Sequence, residues 1–167
     1  MKYLSEKEAF DVAMNLEEEG FLFYEECAGR SKNAETRHIF LELASDEREH
    51  FDIFKKLQGE LGAAANKTLG TDTEVRQYLA NLVKPGIFYD VKHVPRESIA
   101  ALNEYEVIHI GIQTEKDSIL FYTEAWNNST NNKGKKAFKK ILLEERRHLN
   151  ILIERLMSLK QLKKIGR

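Results

Sequence analysis

Glu47 and His50 stand three positions apart in "SDEREHF" (45–51), and the same Glu-x-x-His spacing returns at Glu145 and His148. On a helix, that spacing brings a carboxylate and an imidazole side by side on one face. Together they offer the oxygen and nitrogen donors that a divalent metal ion takes up. A lone Glu-x-x-His is weak evidence, and the chain holds two others, Glu35 with His38 and Glu106 with His109. An internal repeat separates the first two pairs from these.

Shifted by 98 residues, the chain aligns with itself without a gap: "EEEGFLFYEE" (17–26) falls on "EKDSILFYTE" (115–124), and "EREHFDI" (47–53) on "ERRHLNI" (145–151). Between residues 17 and 53 there are twelve identities in 37 positions. They include Glu17 with Glu115, Tyr24 with Tyr122, Glu47 with Glu145 and His50 with His148. Other charges have drifted: Glu49 falls on Arg147, Glu18 on Lys116 and Glu42 on Lys140. A solvated face permits such drift, whereas Glu and His kept in both copies require a chemical reason. The two other pairs are not kept. Glu35 and His38 fall on Lys133 and Lys136, and Glu106 and His109 on Glu8 and Asp11. His38 lies about 120° around its helix from His50, and His109 about 120° from Glu115, so both are expected at the surface or its boundary. His93 receives no role.

The elements that must carry these residues are helices. Only Pro85 and Pro95 interrupt the chain, leaving long stretches free to be helical. Ser5 with Glu8 is a capping-box pattern opening a first helix that runs to about Gly29. A second helix is expected from near Asn33 to about Leu61, with Gly62 ending it. Residues 62–96 hold most of the breakers, one amphipathic segment ("DTEVRQYLANLV") and a brief extended piece near "GIFYDV". A third helix covers roughly 97–127 and a fourth about Lys135 to Ile165. Short loops make helices one and two, and three and four, antiparallel neighbours; the long crossover lets helices two and three run parallel. The expectation is one all-α domain over residues 1–167, with repeat 1 at about 5–61, the crossover at about 62–96 and repeat 2 at about 97–165.

Such a bundle presents one Glu from each of two helices and Glu-x-x-His from each of the other two, the donor set of a dinuclear carboxylate centre. Four carboxylates facing a core repel each other, and each unpaired buried ion costs several kcal/mol. Two divalent cations balance their charge, with one neutral imidazole for each metal. Oxygen-rich ligation without thiolate suits iron or manganese, and zinc can occupy the same donors. Tyr24 and Tyr122 lie seven residues beyond Glu17 and Glu115. Seven residues return to the same face within about 20° and rise about 10.5 Å. The tyrosines are therefore expected to donate hydrogen bonds to a ligand carboxylate on a neighbouring helix.

Composition narrows the alternatives. The 167 residues are 42% apolar and 32% charged, with 26 basic against 27 acidic side chains, so no basic excess points to nucleic acid. The basic end "KQLKKIGR" suits the C-terminal pole of a last helix. With Cys27 as the only cysteine there is no disulfide framework, and a buried structural thiol is expected. No run of 18 apolar residues occurs, and "MKYLSEKEAF" has no signal-peptide pattern, so no membrane contact and a soluble cytoplasmic setting are expected. No P-loop, zincin or serine-nucleophile motif offers a competing enzyme class.

These motifs resemble those of the ferritin-like superfamily, and particularly of rubrerythrin-related proteins. The resemblance rests on "E-x-E-G-F-x-F-Y" (17–24), "L-A-S-D-E-R-E-H" (43–50), "E-K-D-S-I-L-F-Y" (115–122) and "L-L-E-E-R-R-H" (142–148). It implies a ferritin-like four-helix bundle with Glu17, Glu47, His50, Glu115, Glu145 and His148 as metal ligands. It also implies a homodimer that reduces hydrogen peroxide or dioxygen at a di-iron centre, cycling between diferrous and diferric states. The chain departs from the family pattern twice. It lacks the Cys-x-x-Cys motifs of an appended rubredoxin domain, so a separate electron donor such as a rubredoxin is expected. The family's additional glutamate, three residues after the third-helix ligand, is here Ser118, and its repeat mate is Gly20. That leaves a ligand set closer to a ferroxidase or bacterioferritin-type centre, so ferroxidase activity, iron binding or iron storage is the alternative function.

Overall fold

The computed structural model describes residues 5–61, 74 and 102–165. Residues 5–61 and 102–165 form four helices: α1 (Glu6–Arg30), α2 (Ala34–Gly59), α3 (Glu104–Asn128) and α4 (Asn132–Ile165). Apart from Glu74, the expected crossover lies outside the described residues, and with it "GIFYDV", Pro85, His93 and Pro95.

The helix ends are set by capping chemistry that the repeat reproduces. Ser5 accepts from the Glu8 N–H while Glu8 reaches back to the Ser5 N–H, the expected capping box. Its repeat mates Asn103 and Glu106 build the same box at the start of α3. The third helix thus begins at Glu104, later than the breaker pattern implied. Asn33 caps α2 through the N–H groups of Glu35 and Thr36, and its mate Asn131 accepts from Gly134 N–H at 2.9 Å. That second cap starts α4 at Asn132, three residues before Lys135. At its other end α2 stops at Gly59, short of Leu61. Each such cap is worth about 1 kcal/mol.

Helices α1 and α2 pack along their length, as do α3 and α4, and the hairpins meet through α1–α3 and α2–α4. The opening turn of α2 meets that of α3, where the Thr36 hydroxyl donates to Glu104, so these two helices run parallel. At the opposite end Glu6, the repeat mate of Glu104, grips the α3–α4 turn. It accepts from the N–H groups of Thr130 at 2.6 Å and Asn131 at 3.2 Å. Each hairpin therefore presents a first-turn glutamate to the other.

Two apolar layers fill the bundle. One gathers Phe10, Phe54, Phe121, Tyr122 and Phe138; the other gathers Phe23, Tyr24, Phe40, Ile108 and Leu152. The 98-residue shift places Phe23 on Phe121, Phe40 on Phe138 and Phe54 on Leu152, exchanging the layers. Each fully buried side chain of this size contributes roughly 1.5–3 kcal/mol. The first turn of α4 approaches α1 closely: a Cβ on Gly134 would stand 2.8 Å from Phe10 Cζ.

Arg155 ties three helices at one end. It is 2% exposed. Its Nε donates to Thr36 Oγ1 at 2.6 Å, its Nη1 pairs with Glu35, and its Nη2 stands 3.6 Å from Glu104 Oε1. Glu35 is exposed and adds little, but Thr36 is fully buried and Glu104 only partly exposed. Arg155→Met is expected to destabilise the fold by about 1.5–3 kcal/mol, read from the denaturation midpoint in urea.

Cys27 is a free, buried thiol in the second apolar layer, as its sequence context implied. Burial pushes it up to about 12; the neighbouring Glu26 carboxylate acts in the same direction and Arg30 opposes it. Dithionitrobenzoate at pH 8 is expected to leave the folded protein unlabelled and to titrate one thiol after denaturation.

Candidate metal centre

Between the two apolar layers the four helices turn their recurrent residues toward one another. Glu17 comes from α1, Glu47 and His50 from α2, Glu115 from α3, and Glu145 and His148 from α4; all six are at most 3% exposed. Their donor atoms form two groups, each with atoms within 4.8 Å of one another: Glu17, Glu47, His50 and Glu145, and Glu47, Glu115, Glu145 and His148. Glu47 and Glu145 belong to both.

The distances show how the sharing works. His50 Nδ1 lies 3.1 Å from Glu17 Oε2, 3.2 Å from Glu145 Oε1 and 3.3 Å from Glu47 Oε2. His148 Nδ1 lies 3.5 Å from Glu47 Oε1, 3.8 Å from Glu145 Oε2 and 3.9 Å from Glu115 Oε2. Each shared carboxylate thus turns one oxygen to each imidazole. The rings stack with centroids 5.8 Å apart and planes 20° from parallel. Gly20 allows the approach of α1 to α2, since a Cβ there would lie 3.3 Å from Glu47 Cγ.

One ring nitrogen cannot satisfy three carboxylate oxygens with a single proton. Among the described residues, the buried side-chain atoms without a hydrogen-bond partner are Glu115 Oε2, Glu145 Oε1, His148 Nδ1 and Arg155 Nη2. Three of these four belong to this cluster. Native proteins rarely leave buried polar atoms unsatisfied, so such a concentration marks a place that binds something. Four carboxylates and two inward Nδ1 atoms fit two hard divalent cations in both charge and donor type.

The electrostatics agree. Burial, reinforced by Glu47 and Glu145, pushes the carboxyls of Glu17 and Glu115 well above the usual carboxylate range. Burial also opposes ionisation of Glu47 and Glu145, but hydrogen bonds with His148 and His50 overcome it and hold both below that range. Burial disfavours charge on the imidazoles; the carboxylates around them prevail, raising His50 strongly and pushing His148 up to about 10. Protons and a bound cation would compete here for the same negative charge.

The tyrosines reach across the bundle. Tyr24 Oη donates to Glu115 Oε1 and Tyr122 Oη to Glu17 Oε1, so each hairpin holds the carboxylate of the other. Burial raises both phenols, with Glu115 and Glu17 the next cause, and keeps them protonated donors. Tyr24 stacks on Phe40 and Tyr122 on Phe54, fixing the rings.

The two set-aside pairs stay outside the cluster. His38 and His109 are exposed, Glu35 pairs with Arg155, and Glu106 completes the α3 capping box. Sequence reasoning missed Asp46 and Glu144, which contact the outer nitrogens of His148 at 3.1 Å and His50 at 2.6 Å. They are repeat mates, so the signal was a kept charge where only identities had been weighed.

Two helical hairpins that close over a buried set of four glutamates and two histidines define a ferritin-like carboxylate bundle. The family model for rubrerythrin matches residues 8–156, and the chain belongs to the rubrerythrin family. Its fold matches the crystal structure of a protein from Thermotoga maritima assigned as ferritin-like diiron-carboxylate. The two are 31% identical with a TM-score of 0.75, over 94% of this chain and 97% of that one. The bacterioferritin-related protein of Bacteroides fragilis, a dodecameric thioferritin, shares the fold at 20% identity and a TM-score of 0.71, over 95% of this chain and 88% of that one. No curated protein sequence matches the chain. No helix among the described residues is long and apolar enough to cross a membrane.

Proposed function

We propose that the chain is a dinuclear metal protein that reduces hydrogen peroxide or dioxygen. Two iron ions would be held by Glu17, Glu47, His50, Glu115, Glu145 and His148. The observation that carries this reading is that Glu47 and Glu145 each turn one oxygen to each half of a buried, charge-rich cluster. Membership of the rubrerythrin family and likeness to a protein assigned as diiron-carboxylate support iron over manganese or zinc. Bound there, two ferrous ions would supply the two electrons that, with two protons, convert hydrogen peroxide to two waters. The chain's own residues set the conditions. Glu47 and Glu145 hold the two halves in register, Tyr24 and Tyr122 keep Glu115 and Glu17 from swinging away, and the apolar layers exclude bulk water. A separate donor, such as a rubredoxin in a reducing cytoplasm, returns the electrons.

Ferroxidase activity or iron uptake is the second reading. It is favoured by Gly20 and Ser118, which leave those two positions without a carboxylate. Metal analysis, anaerobic loading with ferrous iron and separate titration with peroxide and dioxygen decide between them. The first reading expects two irons per chain, a dimeric mass and bleaching of the reduced protein by one equivalent of peroxide. Iron saturating far above two per chain in a large assembly would favour uptake, and a reduced protein inert to both oxidants would end the redox reading.

A further inference from the structure

Each imidazole of the centre has a second ring nitrogen, and the contacts of these outer nitrogens cross between helices. His50 on α2 meets Glu144 of α4 through Nε2 at 2.6 Å, and His148 on α4 meets Asp46 of α2 through Nε2 at 3.1 Å. With an ion held at Nδ1 the ring would be neutral, carrying its proton on Nε2 and donating it outward. An outer carboxylate fixes ring and tautomer and makes Nδ1 a better metal donor.

The two halves are unequal. Glu144 divides its contacts, giving Oε2 to His50 and leaving Oε1 3.6 Å from Lys140. Asp46 gives the same oxygen, Oδ2, to His148 and to the Arg147 guanidinium. Arg147 Nη2 also stands 3.5 Å from His148 Nε2, which places a fixed positive charge beside that half. Arg147 is one of the positions where the repeat breaks, since its mate is Glu49. The inner distances differ as well: 3.1–3.3 Å around His50 Nδ1 against 3.5–3.9 Å around His148 Nδ1.

We propose that Asp46 and Glu144 are crossed positioning residues for the metal centre, and that Arg147 makes its two positions unequal, the half at His50 binding its ion more tightly than the half at His148. This rests on the dinuclear reading above.

Zinc, which is redox-silent, is the probe. Metal-free protein with ring-¹⁵N histidine is titrated while the ring nitrogens are followed by NMR and the heat by calorimetry. The first equivalent is expected to shift His50 and the second His148. Arg147→Gln, a change at an exposed position, is expected to bring the two responses together. Asp46→Ala is expected to weaken the His148 step alone by roughly 10–100-fold, and Asp46→Glu, which copies the repeat mate, to retain it. His148 responding first, both rings responding together in the parent, an unaltered gap in Arg147→Gln, or equal weakening of both steps in Asp46→Ala would overturn the inference while leaving the dinuclear reading intact. No uptake of zinc, cobalt or iron by the parent would overturn both.

Discussion

Glu47→Gln and Glu145→Gln are each expected to abolish uptake of both metal ions, whereas Glu17→Gln and Glu115→Gln are each expected to cost one. Glu47 and Glu145 turn one oxygen to each imidazole, and Glu17 and Glu115 each belong to one half only. Removing a shared carboxylate therefore takes a ligand from both ions and leaves three negative charges against four positive. The loss should exceed the roughly 10–100-fold that an outer hydrogen-bond partner commands. Gln keeps the volume of Glu, so the apolar layers on either side are undisturbed and the bundle still forms. The measurement is metal per chain by mass spectrometry after anaerobic loading with ferrous iron and desalting. Equal losses in the Glu17 and Glu47 variants would show that the sharing inferred from the geometry is wrong.

Loading the centre should raise thermal stability by a large margin. A ligand that binds only the folded state at about 1,000 times its dissociation constant stabilises by about 4.1 kcal/mol. For a chain of this size each kcal/mol moves the melting temperature by roughly 2–4 °C, so a rise of roughly 8–16 °C on loading is expected, lost again with a chelator. Removing metal should also make stability depend on pH. His148 is raised to about 10 in the fold, so its contribution is fully present below the ordinary value of 6.5 and is lost as pH rises through about 10. Glu17 and Glu115, also raised, act in the same sense from the acid side. Metal-free protein is therefore expected to melt lower at pH 9 than at pH 6.5, while the gain from metal widens over the same interval. Calorimetric melting of metal-free and loaded protein at those two values checks both parts. A pH-independent metal-free melt would contradict the electrostatic account of the cluster.

Much of this was readable from spacing because the same hairpin is written twice. Glu47 with His50 gained weight only from Glu145 with His148, and the shift by 98 residues set aside Glu35 with His38 and Glu106 with His109, which lie outside the buried cluster. The same shift extended to Asn103 and Glu106, mates of Ser5 and Glu8, would have started the third helix correctly. Asp46 and Glu144 were passed over because Asp and Glu differ in name, although either carboxylate accepts from an imidazole. Local sequence determined which residues share a helix face, since helical periodicity is set by the backbone at each residue. It also determined that both hairpins carry the same donors.

Only the tertiary structure decided which donors are shared. Glu17, Glu47, Glu115 and Glu145 are chemically alike in sequence, and sharing by Glu47 and Glu145 follows from how the helices are rotated and staggered against each other. The same holds for Tyr24 on Glu115 and Tyr122 on Glu17, where spacing gave the face but not the partner. It holds too for Arg155, whose buried contacts join Thr36 and Glu104 from distant parts of the chain. Rotation and stagger arise from the packing of whole apolar faces, a sum over many side chains that no single residue records.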